Sequence, residues 1–389
     1  MLPTVFDAPV VTAVLLGTSV SLLLIWLYPF VIYPLVLRFL PNAESSGPER
    51  GRPTGHSAAM LFCAHNEESS IPSKIENVRA IRKLVPRLQV LAYTDCCTDK
   101  TVPLLLAASD IIELHEGLVR KGKAAGMAEL VSSTEAEILI FTDANVLVDP
   151  ESVNRLLAYF EDPAIGSVAG TLHYTNAAEG NVARVGTLYW RLEEYIKRLE
   201  SRTGSTMGAD GSIFAMRRSL YPEVPVDLLD DMIASISPLF DGYRVITAAD
   251  VHAFEKSPTD SRDELRRKRR IACRAFSTHR YLAPRLRSMP ALDRFKYFSH
   301  KYLRWFSAGT LTAGLFFGFL TVVSLYGLVT AGVLSFIGLA LILAGYFCKV
   351  PLLDTVAEIV VGMFAVGAGV IDALLGRKYQ LWNPAKSRD

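Results

Sequence analysis

The sequence predicts an α/β domain attached to a membrane by apolar helices, and three observations carry that prediction. Short apolar runs alternate with helical patterns from Ala58 to about Phe276, as in a mostly parallel sheet with helices on its faces. No charged side chain occurs from Val10 to Leu37 or from Trp305 to Cys348, and roughly 20 apolar helical residues suffice to cross hydrocarbon. Half of the 389 residues are hydrophobic while the formal net charge is only +2, so no global charge points to nucleic acid.

The elements follow in chain order. Residues 1–40 read as an N-terminal transmembrane helix, too long for a cleaved leader and closed by Arg38 rather than a small-residue cleavage site. Residues 41–57, rich in Pro, Gly, Ser and charge, read as a linker. In the domain at 58–276, Ala58–Cys63, Gln89–Tyr93, Ile111–Leu114 and Glu137–Phe141 are expected strands. Asn66–Leu84, Thr98–Ala108, Lys123–Ser132 and Pro150–Phe160 are the expected helices between them. Residues 277–304 read as an amphipathic segment at the membrane interface, 305–376 as C-terminal transmembrane helices, and 377–389 as a tail.

Arg38, Arg50 and Arg52 flank the first helix on one side and only Asp7 on the other, which places the α/β domain in the cytosol. Two spans within 305–348 and a third at Thr355–Leu375, interrupted only by Glu358 and Asp372, make about four in all. That count puts the C-terminus outside, whereas Arg377, Lys378, Lys386 and Arg388 favour the inside. The sequence leaves this conflict open. The five cysteines form no paired C-x-x-C spacing, and their odd number suggests reduced thiols.

In open α/β sheets, ligands bind beyond the carboxyl ends of the strands. There stand Asn66-Glu67, the run Asp95 to Thr101, and Thr142-Asp143-Ala144-Asn145. Asp143 and Asn145, two apart on extended chain, face one side and offer oxygens of the kind that hard divalent cations take. Gly208-Ala209-Asp210-Gly211 permits close approach to the backbone. Asp230-Asp231 pairs two carboxylates, an arrangement that raises one pKa and suits a general base. Arg262 to Arg274 holds seven basic residues, suited to a lipid headgroup or a diphosphate. Helix caps, Asx turns and solvated faces are the ordinary alternatives for each motif taken singly.

In this order, with Arg267-x-x-Arg270 after Asp230-Asp231, the motifs resemble the family 2 glycosyltransferases. The chain is most similar to their membrane-integrated branch, which includes hyaluronan, cellulose and poly-N-acetylglucosamine synthases. The resemblance extends from the first helix to Trp305. It implies a GT-A (Rossmann-like) fold and inversion at the anomeric carbon. It further implies that Asp95 contacts the nucleotide base, with Asn66, Glu67 and Lys123 also on the donor side. Asp143 and Asn145 would hold Mg²⁺ or Mn²⁺, and Arg267 and Arg270 would grip the diphosphate. Asp231 would be the catalytic base beside Asp230, with Gly208, Ala209, Asp210 and Gly211 at the acceptor end.

Three positions depart from the family pattern. Asn145 stands where a second Asp is common, Cys96-Cys97 replaces Gly-Ser, and Ile271 replaces a Trp that stacks on the acceptor sugar. The last leans toward few additions per acceptor. The resulting expectation is an integral plasma-membrane enzyme that transfers sugar from a nucleotide donor, UDP-linked, to a polysaccharide or glycan acceptor. A lipid acceptor, polyprenyl phosphate or ceramide-like, is the alternative, and a non-catalytic nucleotide-binding subunit is a third reading. Membrane lipids are expected partners and nucleic acid is not; oligomeric state is not legible.

Overall fold

The computed structural model describes residues 8–43, 55–176, 181–257, 260–348 and 350–381. Arg50, Arg52, Lys386, Arg388, Asp7 and most of the expected linker lie outside them. The chain begins with α1 (Ala8–Leu27) and α2 (Tyr33–Phe39). The α/β unit then runs β1 (Ala58–Ala64), α3 (Ile71–Leu84), β2 (Gln89–Asp95), α4 (Thr101–Leu106), β3 (Glu113–Gly117) and α5 (Lys123–Ser132). It continues through β4 (Ile138–Thr142), β5 (Leu147–Val148), α6 (Pro150–Ala158), β6 (Ile165–Tyr174) and α7 (Asn181–Arg202). After these come β7 (Ile213–Arg217), α8 (Asp230–Phe240), β8 (Arg244–Glu255) and α9 (Ser261–Leu282). The last helices are α10 (Ala291–Tyr297), α11 (Leu303–Trp305), α12 (Ser307–Cys348) and α13 (Pro351–Leu374).

One eight-stranded sheet forms in the order β3-β2-β1-β4-β7-β6-β8-β5. Successive residues of its central strands enter opposite cores, because side chains alternate across a strand. Met60, Phe62, Val90 and Ile140 pack with α3 and α6 on one face, while Leu61, Leu91, Leu139 and Phe141 pack with α5 on the other. The expected mostly parallel sheet holds only for β3-β2-β1-β4 and the β6–β8 pair. Strand β7 runs antiparallel to both β4 and β6, and β5 antiparallel to β8. The third strand also lies later than expected, and α3 starts at Ile71 rather than Asn66 because residues 66–70 form the turn after β1.

A buried polar knot joins the first membrane helix to this unit. Tyr33 of α2 donates to Glu200 Oε1 at 2.6 Å, and His300 Nδ1 meets the same oxygen at 2.9 Å. His300 Nε2 meets Glu193 at 3.0 Å, so the ring bridges the two carboxylates. Lys296, wholly buried, donates to the carbonyls of Glu200, Thr203 and Ser205.

Among the described residues, three helices are long and apolar enough to cross a membrane: Pro9–Phe39, Ser307–Gly345 and Leu353–Leu374. Helix α12 breaks at Gly327, whose φ of 85° is available to glycine. Ala308 sits against Gly367 and Gly345 against Leu353. Those α13 positions are about 21 Å apart at 1.5 Å per residue, whereas a straight α12 would span about 55 Å. The helix therefore folds back on itself. Helix α13 lies along α9: Glu358 accepts from Ser261 at 2.9 Å near one end, and Asp372 accepts from Arg269 at 2.6 and 2.8 Å near the other. Gly369 permits this approach, because a Cβ there would collide with the Arg269 carbonyl. Gly369→Val is expected to lower stability by about 1–3 kcal/mol through overpacking, read as an earlier thermal unfolding midpoint in detergent.

Candidate active site

The expected site residues gather at the carboxyl ends of β1, β2 and β4. Asn66 and Cys96, each just beyond a strand, adopt left-handed backbone with φ of 53° and 54°. Asn tolerates that conformation, but Cys does so at a cost of about 1–3 kcal/mol. Cys96 is held there by its N–H on the Gly117 carbonyl at 2.8 Å. The two loops are stitched together, Asn66 Oδ1 accepting from Thr98 N–H and Thr101 Oγ1 from Glu67 N–H. Asn66 and Glu67 therefore shape the loop pair.

Asp95, expected at the nucleotide base, is wholly buried. Its carboxylate accepts from the N–H groups of Lys121 and Gly122 at 2.7 and 3.1 Å, with Arg120 Nε at 3.4 Å. It thus fixes the loop leading into α5, where Gly122 has φ of 89°. His65 bonds the Asp95 carbonyl and receives Arg120, and burial lowers its pKa.

The centre lies around Gly211. A Cβ at this glycine would be 2.9 Å from Lys123 Nζ, 3.3 Å from Asp231 Oδ2 and 3.7 Å from Asp143 Oδ2. Lys123 donates to Asp143 Oδ1 at 2.6 Å. Burial alone would lower the Lys123 pKa, but the carboxylates of Asp143, Asp230 and Asp231 hold it well above the ordinary lysine range. Asp231 keeps some surface open, yet burial and the neighbouring Asp230 push its carboxyl up to about 6. Asp230 diverges from it: largely buried, it turns toward Arg274, 3.9 Å away.

The Asn145 amide N donates to Glu255 of β8 at 3.1 Å, and its amide oxygen takes no part in that bond. Two residues here escaped sequence reasoning, Glu255 and Lys74. Lys74 is wholly buried under the Asp143 turn and donates to Thr142 Oγ1, Asp143 O and Val146 O at 3.3, 3.0 and 2.7 Å. Burial pushes its ammonium down to about 7. A signal existed, since Lys74 interrupts the apolar stripe Ile71, Ile75, Val78 and Ile81 at helical spacing.

In the loop expected at the acceptor end, Gly208 has φ of 93° and Ala209 N–H donates to Ser235 at 2.9 Å. Asp210 pairs with Lys197 at 3.0 Å; burial alone would raise its pKa, but that ammonium holds it below the usual range. Met207 N–H donates to Glu200 at 3.0 Å, so the membrane-side knot and this loop share one carboxylate. Arg267 is half-buried among Tyr174, Glu255 and Glu264, and Arg270 stands three residues on along the same helix face.

Among the described residues no three His, Cys, Asp or Glu side chains converge as a metal site. An ion at Asp143 would draw on one carboxylate and the Asn145 amide oxygen, with water and phosphate completing its shell, a donor set that Mg²⁺ accepts. Lys123 already places positive charge against Asp143, so the residues fit a cation. A cleft of about 710 Å³ lies elsewhere, around His56, Glu137, Arg217 and Arg218, near the starting end of β4. Lys74→Met is expected to cost about 1–3 kcal/mol by stranding buried acceptors. Calorimetry should show that loss together with weakened nucleotide binding.

Comparisons with known proteins agree with this geometry. Residues 60–224 match the family described as "Glycosyl transferase family 2". Hyaluronan synthase from Streptococcus pyogenes is 22% identical over 217 residues, 53% of this chain and 50% of that one. An N-acetylglucosaminyltransferase from Rhizobium leguminosarum bv. viciae is 26% identical over 187 residues, 45% of this chain and 43% of that one. The chain spans about half the length of the curated relatives it matches. Among solved structures, the mannosyltransferase PcManGT from Pyrobaculum calidifontis, in complex with GDP-Man and Mn²⁺, superposes with a TM-score of 0.73 at 20% identity. That match covers 93% of this chain and 99% of the other, and it shows a shared GT-A architecture. Residues 60–224 therefore match a family 2 glycosyltransferase domain, within an α/β unit of GT-A fold joined to long apolar helices.

Proposed function

We propose that the protein transfers a sugar from a nucleotide-sugar to a hydroxyl of a glycan acceptor, with inversion, at the cytosolic face of a membrane. The convergence of Asp143, Lys123 and Asp231 on Gly211 carries this reading. The glycine leaves room for a sugar ring between a base and a cationic leaving-group site.

Asp231 would take the proton of the acceptor hydroxyl as its oxygen attacks the anomeric carbon. A carboxyl at about 6 is ionised at neutral pH yet basic enough to be useful. The departing nucleotide diphosphate would be neutralised by Lys123, Arg267 and Arg270, because stabilising developing charge is usually the largest catalytic contribution. A divalent ion, Mg²⁺ or Mn²⁺, held by Asp143 and Asn145 would add Lewis-acid neutralisation of the same phosphates. Asp95 would act through the Lys121–Gly122 loop rather than by touching the base. The donor nucleotide is UDP in this reading; GDP is the nucleotide bound to PcManGT.

A lipid-linked acceptor has one observation in its favour. Helix α7, which carries Lys197 beside Asp210, exposes Leu188, Tyr189 and Tyr195. Such a face suits the edge of a bilayer.

The membrane arrangement follows from the fold-back of α12. With α1 and the two halves of α12 crossing, and α13 lying on the polar helix α9, the domain and the C-terminus share one side. Arg377 and Lys378 then fall on the side that basic residues favour. In this reading three segments cross rather than the four expected, and the basic C-terminal residues lie on the side of the domain. In sealed inside-out vesicles, protease should remove a C-terminal tag and spare an N-terminal one; the reverse would overturn the topology.

Purified protein in detergent, screened against UDP-, GDP- and dTDP-sugars with acceptor extracts, should release nucleotide with one donor. Asp231→Asn should lower that rate at least 100-fold, roughly what a general base contributes, and EDTA should abolish it. The wild-type rate should fall below about pH 6 as Asp231 becomes protonated. Organic extraction of the product separates a lipid acceptor from a glycan. Undiminished turnover by Asp231→Asn would sink the mechanism.

A further inference from the structure

A cavity of about 350 Å³ opens between α9, the turn at Asp227–Leu228 and the segment following α13. Its wall carries four basic side chains, Arg274, Arg280, Arg377 and Lys378, against the single carboxylate of Asp227. Lys378 neutralises Asp227 at 2.7 Å, and Arg377 is engaged with Asp372 at 2.9 Å. Arg274 reaches Asp230 with one terminal nitrogen, at 3.9 Å, and keeps a further donor. Its side chain is 5% exposed and one nitrogen donates to the Leu228 carbonyl, yet its Nε has no hydrogen-bond partner among the described residues. A buried guanidinium N–H left in this way calls for an acceptor oxygen. Ser277 adds a hydroxyl donor to the same wall, and Arg280 is exposed.

The surroundings narrow the ligand. Leu374 and Leu375, flanking the cavity at the end of α13, are 60% and 69% exposed, and Tyr281 beside them is 48% exposed. Free phosphate would have no use for that apolar rim, whereas a phospholipid would cover it with acyl chain. Basic pockets beside cytosolic helix ends suit anionic headgroups for the same reason.

We propose that this cavity binds the phosphate diester of an anionic phospholipid. Arg274 Nε and Ser277 donate to its oxygens, Arg280 and Lys378 supply charge, and the acyl chains lie on Leu374 and Leu375. The proposal rests on the membrane attachment described above and is independent of sugar transfer. Neither Arg280 nor Lys378 belongs to the catalytic cluster.

The full chain, delipidated in detergent and returned to phosphatidylcholine nanodiscs doped with phosphatidylglycerol, can be examined by native mass spectrometry. Wild type should retain phosphatidylglycerol over phosphatidylcholine. The double variant Arg280→Gln/Lys378→Gln should bind it roughly 30-fold less tightly, at about fivefold per basic residue removed. Ser277→Leu, which fills the cavity without changing charge, should have a similar effect, and melting curves would expose misfolding in either variant. Equal retention by wild type and both variants overturns the proposal. Saturable binding of inorganic phosphate alone, lost in the same variants while phosphatidylglycerol is ignored, would assign the cavity to free phosphate and overturn the lipid. Donor turnover measured in parallel should stay near wild type, so a failed lipid result is distinguishable from a failed transferase reading.

Discussion

The antiparallel pairing of β7 with β4 is the constraint on which the site depends. It sets Ile213 opposite Thr142, and Thr142 Oγ1 donates to the Ser212 carbonyl at 2.9 Å. The loop before β7 therefore meets the turn after β4, which brings Gly211 against Asp143 and Lys123. A parallel β7 would carry Gly208–Gly211 to the opposite edge of the sheet, some 17 Å away for a strand of five residues at 3.3 Å each. One reversal of strand direction thus joins the Gly208–Gly211 loop to the Asp143 turn.

Buried charge holds that junction rigid. Lys74 braces the Asp143 turn from below with three donated bonds, while Asp95 braces the α5 loop with two accepted ones. Each charge is buried with its partners in place, so removing one partner is far costlier than the pair is favourable. The same principle links the domain to its membrane helices. Glu200 receives Tyr33 from α2, His300 from the interface segment, and the Met207 N–H of the acceptor loop. The position of the first helix and the shape of the acceptor loop are therefore set by the same carboxylate.

Helix α13 combines two kinds of surface. Its 24 residues are apolar enough to span a bilayer. Yet Glu358 and Asp372 are both turned to α9, and a glycine lets the two helices touch. An apolar helix with a few acids on one stripe serves equally well as a lid over a basic helix. Hydropathy averages over that stripe.

The sequence by itself determined the alternation of strands and helices, the apolar spans, and the order of motifs from Asn66 to Arg270. Those depend on periodicity and on residue type, both local. It also marked Asn145 as a departure from the family pattern, and only the structure shows that amide bonded to Glu255. Strand direction, the divergence of Asp230 from Asp231, the inward turn of Asp95, and the Lys74 brace were decided only in three dimensions. Each depends on which partner lies across a gap of many residues, as Lys74 does with Val146 and Asn145 with Glu255. Residue order carries no distance between such pairs; packing of the folded sheet supplies it.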